Sequence, residues 1–214
     1  MMNIKPKLLL LLFFVATSVL NAQKITIEGG YFNPKRLGEI TSKTYFDAVR
    51  IGAMAEWELK NKFGIQTGLL YYNAYSHKVQ KYPSADSVVY NTWTHGFDIP
   101  VRLTYQLKLF KDFHVFGYAG PNFQLGLAQN QWMTSTLESN WANYTGIKPT
   151  GDVIRLYPDK ISPLNIQLGA GGGVQWRKFI LKSGYDFGLN NLYKTGTDYV
   201  TQGHWHVSFA YQIK

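Results

Sequence analysis

The segment FDIPVRLTYQL, residues 97–107, carries an apolar residue at every odd position and a polar residue or proline at every even position. Successive side chains of a β-strand point to opposite faces, so this period of two predicts a strand with one apolar and one polar face. The segment also reaches the ~9–11 residues that a tilted strand needs to cross a bilayer. It therefore predicts a membrane-spanning β-strand.

Eight segments with this character can be marked, and the connections between them alternate in length. The predicted strands cover residues 24–32, 45–59, 63–77, 92–107, 113–128, 164–176, 179–190 and 204–213. The short connections lie at 60–62, 108–112 and 177–178, and the long ones at 78–91, 129–163 and 191–203. Short turns at one end and long loops at the other are typical of bacterial outer-membrane barrels. We therefore predict an all-β protein, an eight-stranded antiparallel up-and-down transmembrane β-barrel.

The alternation alone does not decide which face points inward. A soluble exported barrel of the lipocalin type, apolar inside and polar outside, is the alternative. Glycines on the polar face favour the membrane barrel, because small residues relieve crowding in a narrow interior but would only weaken strands that face water. These glycines are Gly52, Gly64, Gly68, Gly169, Gly171 and Gly173. Aromatic residues near both ends of the strands are also typical of the two girdles of a membrane barrel.

The N-terminus and the composition define the compartment. Residues 1–22 are typical of a cleavable signal peptide, with Lys5 and Lys7 preceding an apolar run. We expect cleavage after Ala22, and a cut after Ser18 is the alternative. Residues 23–214 are then one barrel domain. The chain contains no cysteine, so no disulfide stabilises it. Its net charge of +9 is spread along the sequence rather than gathered in one basic run, so we expect no nucleic-acid partner.

Three segments together resemble a known family. They are FDIPVRLTYQL, FHVFGYAGPNFQLGL (residues 113–127) and NIQLGAGGGVQWRKFILKSGYDFGLNNL (residues 165–192). They are similar to the PorT-type outer-membrane β-barrel proteins of Bacteroidota. The resemblance implies the barrel fold and an outer-membrane location. It implies little about activity, because only some members of that family are linked to the secretion of other proteins.

Charged residues of both signs fall on the polar face of the predicted strands. They are Glu28, Arg50, Glu56, Asp98, Arg102, Lys182 and Asp186. Such residues can line a pore or a proton path. However, side chains fill an eight-stranded barrel, and an unpaired charge in a low-dielectric interior is costly. We therefore predict a plugged lumen with a paired polar network, and a small channel is the alternative.

The last strand contains HWHVS, in which His204, His206 and Ser208 share one face. The His206–Ser208 pair resembles the catalytic pair of outer-membrane lipid A deacylases, with histidine as base and serine as nucleophile. In those enzymes the pair faces lipid, whereas here it falls on the predicted lumen face, and no acidic partner can be assigned. Two histidines without a third ligand are also weak evidence for a metal site. We expect no enzymatic activity, no metal and no cofactor, with a lipid A-modifying enzyme as a second alternative.

We expect a specific function of the protein, if it has one outside the barrel, to reside in the long connection at 129–163. It contains four aromatic residues among polar ones, namely Trp132, Trp141, Tyr144 and Tyr157. Exposed aromatic residues favour recognition of a partner, and the alternative is that they fold over the barrel and close its mouth. We expect a monomer in contact with outer-membrane lipids and lipopolysaccharide. Secretion-system or surface partners cannot be named from the sequence.

Overall fold

The computed structural model describes residues 23–38, 43–81, 87–135, 152–194 and 198–214. The predicted signal peptide lies outside this range. Within it, no helix is long and apolar enough to cross a membrane. The strands are β1 (Lys24–Gly38), β2 (Thr44–Tyr45), β3 (Asp47–Glu58), β4 (Phe63–Lys81), β5 (Ser87–Phe110), β6 (Phe113–Ser135), β7 (Ile154–Arg155), β8 (Leu164–Trp176), β9 (Phe179–Gly188) and β10 (Val200–Gln212).

The eight long strands form a closed ring in chain order. Each pairs antiparallel with the next, and β10 returns to pair with β1, so the ring has no open side. The two short strands lie outside the ring order, since β2 pairs with β1 and β7 pairs with β6. The predicted eight-stranded antiparallel barrel is confirmed. The strands β4, β5 and β6 are longer than predicted, because their pairing continues past the ring on the long-loop side. The strand β5 also continues to Phe110 at its other end, so the connection predicted at 108–112 is shorter than expected.

The short turns and the chain ends lie at the same end of the barrel. Asn61, Lys62 and Arg177 adopt positive φ angles of 62°, 71° and 55°, which allow the chain to reverse within two or three residues. Beside these turns the amide of Ile25 donates to the carbonyl oxygen of Lys214 at 2.9 Å. The described parts of the long connections are therefore at the opposite end.

The strand β6 contains a bulge near its long-loop end. Its pairing with β8 runs without interruption from Phe113 to Leu125. The bulge lies opposite His95 and Gly96 of β5, where Leu127 is the extra residue. This bulge reverses the alternation, so that Gln129, only 1% exposed, points into the lumen.

The outer wall of the barrel is apolar and the inner wall is polar. Val101 and Leu168 are 36% and 51% exposed, while their neighbours Arg102 and Gln167 are 4% and 0% exposed. A protein that folds in water buries its apolar face, so this arrangement is the opposite of a soluble barrel. The lipocalin-like alternative is therefore wrong. The outer wall matches the hydrocarbon core of a membrane.

Glycines on the inner wall leave room for larger lumen side chains. A Cβ atom added at Gly169 would collide with the carboxylate of Asp186, and one at Gly171 would collide with the hydroxyl of Tyr118. The narrow interior of the barrel therefore requires glycine wherever a long polar side chain crosses it.

Aromatic residues surround the outer wall near both ends of the strands. Close to the short turns, the ring centroids of Phe63 and Tyr105 are 5.0 Å apart. Toward the long loops, Tyr31 packs against Trp205 with 5.5 Å between centroids. These two belts correspond to the aromatic girdles of a membrane barrel, where amphipathic rings lie at the lipid–water interfaces.

The outward apolar face makes a direct prediction for stability. We expect Val101→Arg or Leu168→Arg to lower the free energy of unfolding by roughly 2–4 kcal/mol, because each places a charge near the middle of the hydrocarbon core. The measurement is reversible urea unfolding of the barrel in lipid vesicles. Leu59→Arg, beside a short turn, is the matched control and should cost about 0–1 kcal/mol. Equal tolerance at all three positions would contradict a membrane-facing wall.

Candidate functional site

The centre of the lumen holds a network of ion pairs that joins opposite walls of the barrel. Glu28 of β1 pairs with Arg50 of β3 at 3.4 Å and with Lys182 of β9. Arg50 also lies 3.6 Å from Asp98 of β5. All four side chains are buried. Each buried charge therefore has a partner of opposite sign, which offsets the cost of removing it from water.

A second ion pair lies beside the first. Arg102 of β5 donates to Asp186 of β9 at 2.5 Å and also to the carbonyl oxygen of Gly120. The structure thus pairs six of the seven charged residues noted in the sequence. Glu56 lies apart from them, toward the short turns, where its carboxylate accepts a hydrogen bond from the Thr104 hydroxyl at 3.4 Å.

Two histidines face the carboxylate of Asp186 from the neighbouring strand. His204 is the direct register partner of Asp186, and its Nε2 lies 3.3 Å from Oδ2. His206 follows two residues later on the same face, with Nδ1 3.6 Å from the same oxygen. The other ring nitrogen of His206 lies 2.9 Å from the hydroxyl of Tyr118. An acidic partner for these histidines is therefore present, although the sequence alone did not identify it.

The hydroxyl of Ser208 is hydrogen-bonded to an arginine rather than to a histidine. Arg50 donates to Ser208 Oγ at 3.2 Å, and the ring nitrogens of His206 face Tyr118 and Asp186. Ser208 is 1% exposed and faces the lumen. A serine nucleophile needs an adjacent base and access to its substrate. His206 and Ser208 are therefore not arranged like the catalytic pair of a lipid-facing deacylase.

A layer of amide side chains closes the lumen above the ion pairs, on the long-loop side. Arg36 donates to Gln202 at 2.7 Å and to Gln129 at 3.0 Å. Gln202 in turn donates to Gln124 at 2.7 Å, and Gln124 donates to Asp98 at 3.0 Å. This layer was not predicted from the sequence. Gln124 lies on the polar face of a predicted strand, but Gln202 falls in the connection predicted at 191–203, and only the structure shows that the last strand begins at Val200.

The open space inside the barrel lies at its two ends. On the short-turn side a cavity of ≈ 230 Å³ is lined by residues that include Glu58, Lys62 and Lys108. On the long-loop side a cavity of ≈ 250 Å³ borders Arg36 and Tyr193. Between them, among the described residues, cavities of only ≈ 20 Å³ lie beside Gln66 and beside Arg50, each about the volume that holds a single water molecule.

The described end of the long connection, residues 152–163, folds over the outer mouth. Leu156 and Ile161 form a buried apolar cluster with Leu192 from the next connection. Tyr157 packs against this cluster, and its ring leaves no room for a side chain at Gly126 in the barrel wall. Tyr157, which the sequence analysis proposed for recognition, thus forms part of a cap on the barrel.

The other aromatic residues of the predicted recognition loop have different positions. Trp132 belongs to β6 rather than to a loop, and its ring packs beside exposed Tyr75 with 6.3 Å between centroids. Trp141 and Tyr144 lie outside the described residues.

One family model matches most of the chain, and several solved structures are similar to it. Residues 21–194 match the family model described as outer membrane protein beta-barrel domain. Among solved structures, Ail, the attachment invasion locus protein of Yersinia pestis, is 11% identical, with 89% of this chain and 98% of that chain covered and a TM-score of 0.37. Neisserial surface protein A (NspA) is 11% identical, with 87% and 96% covered and a TM-score of 0.44. No curated protein matches the sequence.

The paired lumen predicts a large cost for removing one charge. We expect Arg102→Ala to lower the free energy of unfolding by about 3–5 kcal/mol, because it leaves the buried carboxylate of Asp186 without its charged partner. Denaturant unfolding in lipid vesicles measures this change. The double variant Arg102→Met with Asp186→Asn removes both charges. Its free energy of unfolding should therefore fall by less than that of the single variant.

A surface ion pair provides the control for this measurement. Arg177 lies 3.6 Å from Asp112 at the short turns, and both side chains are largely exposed. We expect Arg177→Ala to cost no more than about 1 kcal/mol, because water already solvates both charges. Similar decreases in the free energy of unfolding for Arg102→Ala and Arg177→Ala would contradict a network of buried charges that depend on one another for pairing.

Proposed function

Because the chain belongs to the family of outer membrane protein beta-barrel domains, we propose that it acts as a non-enzymatic membrane barrel with a closed lumen and an outer rim for recognition. The family and the apolar outer wall give the protein its location in the outer membrane. The role within that membrane rests on the lumen and on the cap.

The observation that carries the proposal is the filled middle of the barrel. Cavities of ≈ 230 and ≈ 250 Å³ lie at the two ends, while those between them are ≈ 20 Å³. A path for hydrated ions needs continuous water, and buried ion pairs occupy the place where that water would run. This supports a closed lumen over the alternative of a small channel.

The enzyme alternative receives less support from the geometry. A lipid A-modifying enzyme needs its nucleophile at the lipid surface and a base beside it. Ser208 faces the lumen and accepts a hydrogen bond from Arg50. A non-enzymatic role is the better interpretation.

The outer rim is the part of the molecule that is best suited to contact a partner. The paired strands β4, β5 and β6 continue past the ring, and the cap of residues 152–163 lies beside them. Lys35 lies over the ring of Tyr45 at 5.4 Å near this rim, on the outer wall, where a cation can bind the phosphate groups of lipopolysaccharide. The closed ring leaves no free strand edge in the membrane, which supports a monomer.

The process that the protein serves is proposed from sequence resemblance. The segments at 97–107, 113–127 and 165–192 resemble PorT-type proteins of Bacteroidota, some of which are linked to protein secretion. We therefore propose secretion-system components as the first partners to seek at the outer rim.

A cysteine-directed experiment tests this proposal, since the natural chain has no cysteine. We expect Asp159→Cys, in the exposed part of the cap, to react with a membrane-impermeant maleimide on intact cells. Asn61→Cys, in a short turn, is the matched control and should react only after the outer membrane is opened. A photo-crosslinker attached at Asp159 should then capture partners that the one at Asn61 does not. Labelling of Asn61 but not Asp159 on intact cells would contradict recognition at this rim.

A further inference from the structure

We propose that Asp186, His204 and His206 form a binding site for one divalent transition-metal ion of the zinc type inside the barrel. The ligand atoms are Asp186 Oδ2, His204 Nε2 and His206 Nδ1, which all lie within 4.8 Å of one another. The site is separate from the recognition rim and does not depend on the function proposed above.

The distances between these atoms fit a tetrahedral ion. Oδ2 of Asp186 lies 3.3 Å from Nε2 of His204 and 3.6 Å from Nδ1 of His206. An ion with bonds of about 2.0–2.2 Å to nitrogen and oxygen places neighbouring tetrahedral ligands about 3.3–3.5 Å apart. Both distances to Asp186 Oδ2 are close to this spacing.

Gln167 Nε2 faces His204 Nδ1 at 3.3 Å, so the neutral His204 ring carries its hydrogen on Nε2, 3.3 Å from Asp186 Oδ2, and an ion would displace that hydrogen on binding. Apart from this contact, the three atoms have no hydrogen-bond partner in the described part of the chain. Asp186 Oδ2, His204 Nε2 and His206 Nδ1 are all buried and unsatisfied among the described residues. Their side chains are at most 3% exposed. Buried polar atoms without partners are uncommon and require an explanation, and here the three unsatisfied atoms converge on a single point.

The hydrogen bonds around His206 leave a lone pair directed at Asp186. The hydroxyl of Tyr118 donates to the carbonyl oxygen of Ser183 at 3.0 Å, so it accepts a hydrogen bond from Nε2 of His206 at 2.9 Å. In the neutral ring Nδ1 then carries no hydrogen. Two acceptors, Nδ1 and the carboxylate oxygen, face each other across 3.6 Å. A cation between them removes this repulsion.

The surrounding residues provide the support that metal ligands usually have. Tyr118 orients His206, and Arg102 holds the second oxygen of Asp186 at 2.5 Å. Such outer partners fix the orientation of the ligands and tune the affinity of a site. The nearby cations have carboxylate partners of their own, since Lys182 pairs with Glu28 and Arg50 pairs with both Glu28 and Asp98.

The donor set indicates which ion the site would take. Two imidazole nitrogens and one carboxylate oxygen suit zinc and its neighbours, whereas calcium and magnesium prefer oxygen ligands alone. The ion would link β9 to β10 and, through Arg102, to β5, so its role is structural.

Metal binding to the full mature barrel tests this inference, with an affinity tag that contains no histidine. Protein stripped with EDTA is incubated with Zn²⁺, desalted and analysed by mass spectrometry of the bound metal. We expect about one zinc ion per chain and a rise in the unfolding temperature with zinc. His206→Gln should lose both effects, and Tyr118→Phe should bind about 10–100-fold more weakly.

Two controls separate the site from general effects. Ser208→Ala lies on the same lumen face but supplies no ligand, and His95→Ala removes a histidine that packs on Tyr71 away from the cluster. Both should keep the zinc and the temperature shift. Wild-type protein that retains no zinc, or a folded His206→Gln variant that retains as much as the wild type, would overturn the proposal.

Cobalt substitution of the wild type provides a test that needs no variant. Tetrahedral Co²⁺ with nitrogen ligands absorbs strongly in the visible range, and we expect these bands on adding Co²⁺ to the stripped barrel and their loss on adding excess Zn²⁺. This result decides the question even if His206→Gln does not fold. Absence of these bands at saturating Co²⁺ would contradict the site.

Discussion

The rest of the structure depends on the pairing of the last strand with the first. In hydrocarbon no water is available for unpaired backbone groups, so strands span a membrane only when every edge is closed. The pairing of β10 with β1 from Thr26 to Gly38 closes the ring. Closure with eight strands leaves a narrow interior, which in turn selects glycine beside long side chains such as Asp186 and requires that buried charges meet within reach of one another.

The fold could be predicted because its two main signals are local. The period of two in residues 97–107 predicts a strand with two different faces. Short turns such as 60–62 indicate that consecutive strands are antiparallel neighbours. The extensions of β4, β5 and β6 were missed, since they leave the bilayer and lose the apolar face that marks a strand. The bulge at Leu127 was missed because one extra residue changes the alternation without any special sequence.

The lumen was predictable in composition but not in its contacts. Alternation placed charges such as Arg50 and Arg102 on the inner wall, yet which carboxylate each one meets depends on the register of strands far apart in the sequence. The same holds for Asp186, which becomes the partner of His204 only when β9 and β10 are aligned. Tyr157 was open to two interpretations, and its position against Gly126 depends on how the connection folds over the mouth.

Polar side chains fill the barrel and leave no continuous path for ions. The decisive measurement is the current through planar lipid bilayers that contain the purified protein, with a porin of known conductance as the positive control. We expect no stable single-channel conductance, because ion pairs such as Arg102–Asp186 occupy the middle of the lumen. Steady, ion-selective currents that change with Arg102→Ala would contradict it.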